Sequence, residues 1–517
     1  MLKPLPTSTA TFRDIIGGGY LYIDKTRFIY EVAHKTKGAY FFARPRRFGK
    51  SLFLSTLSEL FRNNRDLFQG LWIDQSDYVW EEYPVIHLTF SLFPSKSAEA
   101  LEDNIKYYLL RVAQEHGVAL ADGPYYAMFD ELIYQLSQDK QVIILIDEYD
   151  KPLLDNLDNP AEAQKIRDIL KGFYAVIKGV EQRIRLVFIT GVSKFSKVSI
   201  FSELNHLTDL TMRDAFATAL GITETELRTN FDEHISVLAK TSGMHEAALL
   251  EKIRRWYNGF RFAAAGENVY NPFSLMQLFD AQQFANYWFE SGTPTFLINL
   301  IKERQYDLLR FQNMQVREAA FSTYEVENLA ITPLLYQTGY LTIKDYDAAS
   351  RRYTLAYPNQ EVEESFLLWL MSAYSYVERS FGEAYLWEFV DALEAQNLAE
   401  MFDVLGVFFA NIPYDLHVKH EKYYQTIFYL IFMLMGFRVA AEVQTNQGRI
   451  DAVVELTGHI YLFEFKLDKS ADVAMAQVED HAYYQKYRRR GKPVTYIGAN
   501  FNSTTRQVDE WRQKQLD

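Results

Sequence analysis

Hydrophobic and polar positions follow two alternating periods along the first half of the chain. Apolar runs rich in β-branched and aromatic residues predict strands at 38–45, 84–91, 141–150 and 183–191. Between these runs the apolar residues recur at helical spacing, which predicts helices near 50–62, 97–116, 124–138 and 160–180. Strands that alternate with helices predict an α/β domain built on a mostly parallel sheet.

The second half of the chain changes period twice. Helical spacing dominates on both sides of YLTIKDYDAASRRYTLAYPN (340–359), which has the pattern of a short hairpin. After residue 411 the pattern predicts a helix, a hairpin, a second helix and a strand. We therefore divide the chain into an α/β domain over 1–240, a helical, winged-helix-like connector over 241–395 and a second α/β domain over 396–517.

The composition restricts the classes of protein that fit. A chain of 517 residues with 48% hydrophobic and 23% charged residues has the makeup of a multidomain globular protein. It contains no cysteine, which excludes disulfides, thiolate catalysis and cysteine-ligated zinc and favours a cytoplasmic location. No apolar run is long enough to span a bilayer, so no membrane partner is expected. The formal net charge of −13 means that a nucleic-acid partner would need local basic patches.

RPRRFGKS (44–51) follows a predicted strand and opens a predicted helix. Amides at a helix N-terminus cradle phosphate and a lysine adds a point charge, so this is the context of a phosphate-binding loop. Lys50 would reach the terminal phosphates of a nucleotide, and Ser51 would ligate Mg²⁺. Gly49 supplies backbone freedom, but Arg44 stands where such a loop usually has its first glycine. A basic turn capped by a glycine is therefore the alternative interpretation.

An acid pair follows the third predicted strand. VIILID (142–147) runs directly into Glu148, and ligands bind beyond the carboxyl ends of strands in open α/β sheets. Asp147 suits direct or indirect ligation of Mg²⁺, and Glu148 suits orienting or deprotonating a water molecule. The next strand ends in Thr190, which could sense the γ-phosphate from the adjacent strand. Loop, acid pair and polar strand end, in this order, predict a nucleotide site.

Four separated segments resemble the bacterial AAA-ATPase-like family, a branch of P-loop ATPases often fused to a C-terminal nuclease-like domain. The resemblance covers roughly residues 5–240 and rests on FRDIIGGGYLYIDKTRFIYEVA, FFARPRRFGKSLFLSTL, IILIDEYDKPL and FITGVSKFSKVSIFSELN. Arginine in place of the first glycine looks like that family's own variant of the loop. The resemblance implies a P-loop NTPase fold of the ASCE/AAA-like kind, with ATP and Mg²⁺ held by the residues named above. It also suggests that YLYIDKT (20–26) helps to seat the nucleotide.

Basic residues in and after the loop carry further hypotheses. Arg44, Arg46 and Arg47 could contact nucleotide phosphates or a nucleic-acid backbone, and a solvated basic loop is an equally good interpretation. Arg254 and Arg255 are candidates for an arginine finger, although a helical surface is the better interpretation of that pair.

GRIDAVVELTGHIYLFEFKLDKS (448–470) predicts a hairpin whose apolar strands carry charges. If its turn is Thr457-Gly458, opposed positions sum to 915, so Asp451 faces Glu464 and Lys466 shares their side. Opposed carboxylates repel unless a cation separates them, and hard oxygen ligands suit Mg²⁺ or Mn²⁺. A lysine beside the metal could steer or activate a water molecule. The alternative is an exposed face with mixed charges, which the apolar residues on both sides of the hairpin disfavour.

The residues that flank the hairpin extend this pattern. Glu421 ends an inward-facing helical stripe, and Gln477 lies about two turns into the following helix. The order Glu421, Asp451, Glu464-x-Lys466, Gln477 resembles the PD-(D/E)XK nuclease superfamily over roughly 396–495. The resemblance implies that the two hairpin acids bind the metal and that the lysine assists the water. It also implies that Glu421 supports the site and that Gln477 positions the substrate.

We expect a cytoplasmic bacterial protein in which an ATP-driven P-loop module is coupled to a metal-dependent phosphodiester hydrolase. Nucleic acid is the expected substrate, with DNA favoured. YQKYRRRGKP (484–493) is a candidate backbone-contacting patch, and a basic helix end is an equally natural interpretation of it. Such a fusion would fit defence or mobile-element biology. One alternative is an ATP-dependent regulatory switch whose nuclease-like domain binds nucleic acid or protein without cleaving. Another is that Arg44 has disabled ATP turnover and left ATP binding only. The sequence leaves oligomerisation, strand preference and trigger open.

Overall fold

The computed structural model describes most of the chain. The described residues are 2–92, 95–194, 207–290, 295–304, 306, 308–321, 330–410, 412, 421–436, 440–443, 452–479, 487 and 491–516. The chain divides into two compact units, the first formed by Met1–Phe296 with Leu309–Val362 and the second by Leu297–Leu308 with Glu363–Asp517. The three-domain division made from the sequence stays a prediction.

The first unit is built on a five-stranded sheet. Its strands are β1 (Gly38–Ala43), β2 (Val85–Thr89), β3 (Val142–Asp147), β4 (Ile184–Gly191) and β5 (Thr208–Asp209). They lie in the order β2-β3-β4-β1-β5, and all neighbouring pairs are parallel. Every residue of β3 is buried, as the unbroken apolar run VIILI requires of a strand covered on both faces. Because β4 lies between β1 and β3, the carboxyl ends of these three strands meet at one edge of the sheet.

Helices cover and extend this sheet. The helices that lie wholly in the first unit are α1 (Phe12–Gly17), α2 (Thr26–Ala33), α3 (Lys50–Phe61), α4 (Ala98–Glu115), α5 (Tyr125–Leu136), α6 (Lys151–Leu154), α7 (Pro160–Gly179), α8 (Glu224–Asn230), α9 (Asp232–Ser242), α10 (Glu246–Tyr257), α11 (Pro272–Ala281), α12 (Tyr287–Glu290) and α14 (Ile331–Thr338). Two further helices, α13 (Thr295–Glu303) and α15 (Gln360–Ser375), begin in the first unit and have most of their residues in the second. Local signals set several of their starts. Thr223 and Glu226 form a reciprocal capping box at α8, and the Asn159 side chain caps α7.

The middle of the chain is helical, with a small sheet. Helices α8 to α11 share an apolar core that includes Leu227, Phe231, Ile253 and Phe279. A three-stranded sheet follows, in the order β6 (Met314–Val316), β8 (Arg352–Ala356), β7 (Thr342–Asp347), with antiparallel pairing. Strands β7 and β8 are the hairpin predicted at 340–359.

The second unit contains a mixed sheet. Besides α16 (Arg379–Glu394), α17 (Leu398–Ala410), α18 (Glu421–Met435) and α19 (Ala471–Glu479), it has β9 (Ala440–Val443), β10 (Ala452–Glu455), β11 (Ile460–Leu467), β12 (Val494–Asn502) and β13 (Gln507–Leu516). The sheet order is β13-β12-β11-β10-β9, with one parallel pair, β11 with β12. The predicted fold class is therefore confirmed: an α/β parallel-sheet domain, a helical middle and a C-terminal mixed-sheet domain.

The sequence missed two edge strands of this sheet, β9 and β13. Strand β13 reads QVDEWRQKQL, whose many polar residues hide a strand pattern, and it gains its conformation from pairing with β12. Among the described residues, no helix combines the length and the apolar character needed to cross a membrane.

Candidate functional site

The turn between β1 and α3 is built around two left-handed backbone positions. Gly49, immediately before the first residue of α3, has φ of 90°, a conformation that glycine adopts without steric cost. Arg47 also has positive φ, at 65°. Residue 44 is not among the positive-φ positions, so this loop reaches the helix without the backbone freedom of a first glycine. The first amides of an α-helix have no acceptor within the helix, so those that open α3 are the amides that would bind phosphate.

Lys50 is buried at the start of α3. Its Nζ donates hydrogen bonds to the carbonyl oxygens of Arg44 at 3.0 Å and Pro45 at 2.9 Å, so the side chain lies along its own loop. Burial lowers the pKa of the Lys50 ammonium, and the negative charges of Glu148 and Asp147 oppose that shift. The position predicted to meet phosphate is thus a desolvated lysine beside the acid pair.

Asp147 joins three elements that are far apart in the chain. Its Oδ2 accepts a hydrogen bond from the Ser51 hydroxyl at 2.6 Å, and its Oδ1 accepts one from the Thr190 hydroxyl at 2.5 Å. Asp147 and Thr190 are buried at the ends of β3 and β4, and Ser51 is the second residue of α3. The structure therefore brings Ser51 and Thr190, predicted for Mg²⁺ and γ-phosphate contacts, within direct hydrogen-bond distance of Asp147, the third predicted residue.

Glu148 follows β3 with φ of 52°, a left-handed conformation unusual for a residue with a side chain. Its side chain is half-buried, and burial raises the pKa of its carboxyl, with the Lys50 charge opposing the shift. A carboxylate with a raised pKa is a better proton acceptor than an ordinary one, which suits the predicted role on water.

Lys50, Ser51 and Glu148 line one cleft of about 460 Å³ in the first unit. Asp147 lies behind its lining and is connected to it through the Ser51 hydroxyl. One wall is the loop and the start of α3, and another is the turn after β3. The remaining walls come from 6–10 near the N-terminus and from the first turns of α11, at Pro272, Phe273 and Met276. A buried lysine, helix-opening amides and a hydroxyl beside a carboxylate fit a nucleoside triphosphate with Mg²⁺. Ser51 and Asp147 are the residues that would hold that ion.

Arg44 corrects one expectation from the sequence. Its guanidinium neither faces phosphate nor lies in solvent: it is 1% exposed and donates to the carbonyl oxygens of Ala43, Thr211 and Phe216 at 2.7–3.1 Å. It also lies 4.1 Å from the ring centroid of Phe262. Burial lowers the pKa of Arg44 to about 9, which still leaves it charged at neutral pH. Its position fixes the base of the loop to neighbouring segments.

The other basic residues and the YLYIDKT segment differ in placement. Arg47 is exposed at the cleft, with its guanidinium 4.7 Å from the Phe273 ring centroid. Arg254 pairs with Glu224 and Glu251, which agrees with the helical-surface interpretation. In the segment 20–26 the charged side chains bond within the protein: Asp24 accepts hydrogen bonds from the amide and hydroxyl of Thr26, and Lys25 pairs with Glu226.

Sequence reasoning missed Asp150, a buried acid that also lines the cleft. Its Oδ2 accepts hydrogen bonds from the amides of Val192 at 3.0 Å and Ser193 at 2.6 Å and from the Ser193 hydroxyl at 2.5 Å. Burial raises the pKa of the Asp150 carboxyl, and these hydrogen bonds oppose the shift. Asp150 thereby fixes the turn after β4, which follows Thr190. The available signal in the sequence was the position of Asp150 as the third acid of DEYD (147–150), directly after the predicted acid pair.

In the second unit the predicted hairpin has the predicted register. Ala452 pairs with Phe463 and Val453 with Leu462, so opposed positions sum to 915. Asp451, the next position toward Glu464, lies outside the described residues. Its placement opposite Glu464 therefore stays a prediction.

Glu464 and Lys466 point to the same side of the central strand β11. The Lys466 ammonium lies 2.7 Å from Glu464 Oε1, and the two side chains are 16% and 2% exposed. Nearby Gly498 pairs with Glu464 on β12, and a Cβ there would be 3.0 Å from the backbone nitrogen of Met475 in α19. Because Gly498 has no side chain, α19 can pack close to the sheet beside Glu464.

Two supporting residues of this site are placed by their backbones alone. Glu421 is the first residue of α18 and Gln477 lies in α19, while their side chains lie outside the described residues. Most of the basic patch at 484–493 lies outside them too. Within the part of the chain that is described, no group of three or more histidines and acids is placed to hold a metal ion.

Comparisons with known proteins match the two units to two families. Residues 6–201 match the model of a predicted AAA-ATPase, and residues 419–511 match that of the PD-(D/E)XK nuclease superfamily. An uncharacterized protein encoded in the vnfD 5' region of Azotobacter chroococcum mcd 1 is 39% identical over 523 residues, covering 98% of each chain. The solved Aeropyrum pernix ORC2 protein, in ADPNP–ADP complexes, is 11% identical and covers 71% of this chain and 93% of that one. Its TM-score of 0.29 is too low to support an argument.

Proposed function

The chain belongs to the bacterial family that joins an AAA-ATPase-like domain to a C-terminal PD-(D/E)XK nuclease superfamily domain, and from this premise we propose two linked activities. The first unit binds and hydrolyses ATP, and the second hydrolyses phosphodiester bonds of nucleic acid, with DNA as the favoured substrate. Nucleotide state would control the nuclease or its access to substrate.

One observation carries the ATPase proposal: the hydroxyls of Ser51 and Thr190 both donate hydrogen bonds to the Asp147 carboxylate. Lys50 would exchange its two loop carbonyls for phosphate oxygens, and Glu148 would take the proton of the attacking water. Mg²⁺, when bound, would neutralise phosphate charge.

Support for the nuclease proposal comes from Glu464 and Lys466 and from charge distribution. Residues 396–517 contain 15 acidic and 14 basic residues, so nearly all of the chain's net charge of −13 lies elsewhere. A near-neutral domain repels a polyanion less than the rest of the chain does. A divalent metal at Asp451 and Glu464 would lower the pKa of bound water, while Lys466 would orient that water and counter phosphate charge.

ATP binding can be tested with Lys50→Ala, using exposed Lys35→Ala as the matched control. We expect the wild type and the Lys35 variant to bind a fluorescent ATP analogue in the presence of Mg²⁺, and the Lys50 variant to lose most of that binding. Equal binding by all three proteins would reject the nucleotide site.

Nuclease activity can be tested on single- and double-stranded DNA and RNA, with and without ATP, Mg²⁺ or Mn²⁺. Asp451→Ala and Glu464→Ala should abolish metal-dependent cleavage, whereas Asp472→Ala, at an exposed acid of α19, should retain it. Full cleavage by the first two variants would exclude the hairpin as the catalytic site.

A second candidate function is binding of nucleic acid or protein without cleavage. It is favoured by the burial of Glu464 and its ion pair with Lys466, since a metal would have to compete with that pair. Binding of nucleic acid by wild-type protein, with no cleavage of any substrate in the panel, would support this function. Either function would fit a role in defence or mobile-element biology, which rests on architecture alone.

A further inference from the structure

Helix α11 forms one wall of the nucleotide cleft. Its first turns present Pro272, Phe273 and Met276 to the cleft, and the Phe273 ring is 4.7 Å from the guanidinium of Arg47 in the facing loop. The start of the helix is fixed by Asn271, whose Oδ1 accepts a hydrogen bond from the Ser274 amide at 3.0 Å. The position of this first turn therefore sets how close the wall lies to the loop.

The loop on the opposite wall is tied to α12. The indole Nε1 of Trp288 donates a hydrogen bond to the carbonyl oxygen of Arg46 at 2.9 Å. Arg46 also lines the cleft, so this bond fixes the backbone of the phosphate-binding loop at a point next to the ligand space.

One carboxylate connects both walls. Glu361 is fully buried in the first turn of α15, and its Oε2 accepts a hydrogen bond from the Ser274 hydroxyl at 2.8 Å. Its Oε1 accepts a hydrogen bond from the backbone amide of Trp288 at 2.7 Å. Hydrogen bonds are electrostatically stronger in the low-dielectric interior than in water, so these two buried contacts are firm constraints.

We propose that Glu361 is a positioning residue that sets the spacing between α11 and the phosphate-binding loop, and thereby the affinity of the cleft for nucleotide. This inference rests on the proposed ATPase function and names a residue that neither motif contains. Glu361 touches neither the acid pair nor Lys50 among its described contacts, so it acts on nucleotide binding through Ser274 and Trp288. Small displacements of binding walls have large effects on affinity because the contacts to ligand depend steeply on distance.

The decisive variants are Glu361→Ala and Glu361→Gln. Loss of the carboxylate should raise KM for ATP about tenfold while kcat changes about twofold or less, since the walls move and the acid pair does not. Glutamine should restore most of the affinity. Its carbonyl can accept from Trp288, and its amide can donate to Ser274, whose hydroxyl lies 3.4 Å from Asn271 Oδ1 and can turn toward it.

Single-contact variants separate the two connections. Ser274→Ala removes the bond to α11, and Trp288→Phe removes the indole bond to the loop while keeping the backbone amide. Each should raise KM by less than Glu361→Ala does. Adding Ser274→Ala to Glu361→Ala should cause little further increase, because both changes remove the same connection.

Steady-state ATP hydrolysis by the full chain tests this inference. A raised KM in Glu361→Ala, recovery in Glu361→Gln and non-additivity with Ser274→Ala would support it. A folded Glu361→Ala protein with wild-type KM would overturn it. If that variant does not fold, wild-type KM values in both Ser274→Ala and Trp288→Phe would overturn it instead. Absence of ATP hydrolysis in the wild type would reject the proposed function itself, and with it this inference.

Discussion

The proposed nucleotide cleft and the C-terminal hairpin differ in how far apart in the sequence their predicted site residues lie. Beside the cleft, Ser51 and Thr190 lie 96 and 43 positions along the chain from Asp147, and both donate side-chain hydrogen bonds to its carboxylate. In the hairpin, the described pair of Glu464 and Lys466 is two positions apart on one strand. Any strand places residues two apart on one face, whereas only a particular sheet order brings distant strand ends together. The cleft is therefore supported by tertiary structure, and the hairpin mainly by local geometry.

Of the substitutions that test this comparison, we expect the largest effect from Asp147→Asn. Because Asp147 bonds both hydroxyls of the predicted site, Asp147→Asn should reduce the rate of ATP hydrolysis by about 100-fold or more. The exposed Asp158→Asn serves as control and should retain wild-type rate. An active Asp147→Asn protein would mean that the hydrogen bonds joining Ser51 and Thr190 to Asp147 are not needed for ATP hydrolysis. The measurement is the steady-state rate of phosphate release.

Arg44 tests what holds the loop beside that cleft. Changing it to glycine, the usual residue, should destabilise the region by about 3 kcal/mol, because three buried carbonyl oxygens lose their donor. Arg47→Gly, at a position with positive φ, should instead relieve backbone strain. The opening free energy of peptides from 38–61, measured by hydrogen exchange, distinguishes the two. Equal protection in both variants would contradict the structural role of Arg44.

Gly498 tests the packing beside Glu464. In Gly498→Ala the new Cβ would meet the backbone of Met475 and Ala471, so α19 should shift and lose about 1 kcal/mol or more of local stability. Gly406→Ala in α17 is the matched control, because its Cβ meets nothing within 4 Å and alanine favours a helix by up to about 1 kcal/mol. Faster hydrogen exchange in α19 is expected for the first variant only. Unchanged exchange would mean that α19 is not closely packed there.

The smallest effect concerns pH. Because burial raises the pKa of Glu148, the carboxylate form needed to accept a proton is lost at higher pH than for an ordinary glutamate. We expect kcat for ATP to fall on acidification at a pH above the ordinary value of 4.5. A profile that stays flat down to that value, with the protein still folded by circular dichroism, would remove Glu148 from this role.

Much of the fold could be predicted because its signals are local. Four of the five strands of the first sheet follow from apolar runs, and the 915 register follows from a two-residue turn. Strands β9 and β13 could not be predicted, because edge strands with polar residues depend on the neighbour they pair with. The same reason explains the missed Asp150 and Glu361. A buried acid is recognised by the groups that donate hydrogen bonds to it, and these are distant in the sequence. The donors to Asp150 lie at 192–193, and those to Glu361 lie at 274 and 288.

Arg44 shows the limit in the opposite direction. The sequence identified it correctly as a departure from the usual loop, but its partners Thr211 and Phe216 are more than 160 positions away. The buried structural role of Arg44, in place of the expected phosphate contact, could therefore be recognised only from the tertiary structure. Lys50 and Ser51 could be predicted because the phosphate-binding loop motif itself specifies a strand, a loop and a helix in that order.

The most direct test of the account is ATP binding and hydrolysis by Glu148→Gln. Glutamine keeps the size and one oxygen of the side chain but cannot accept the proton of water, so the variant should bind ATP like the wild type and hydrolyse it about 100-fold more slowly. Bound ATP that remains uncleaved over many wild-type turnovers would support the central claim. Hydrolysis at the wild-type rate would contradict it.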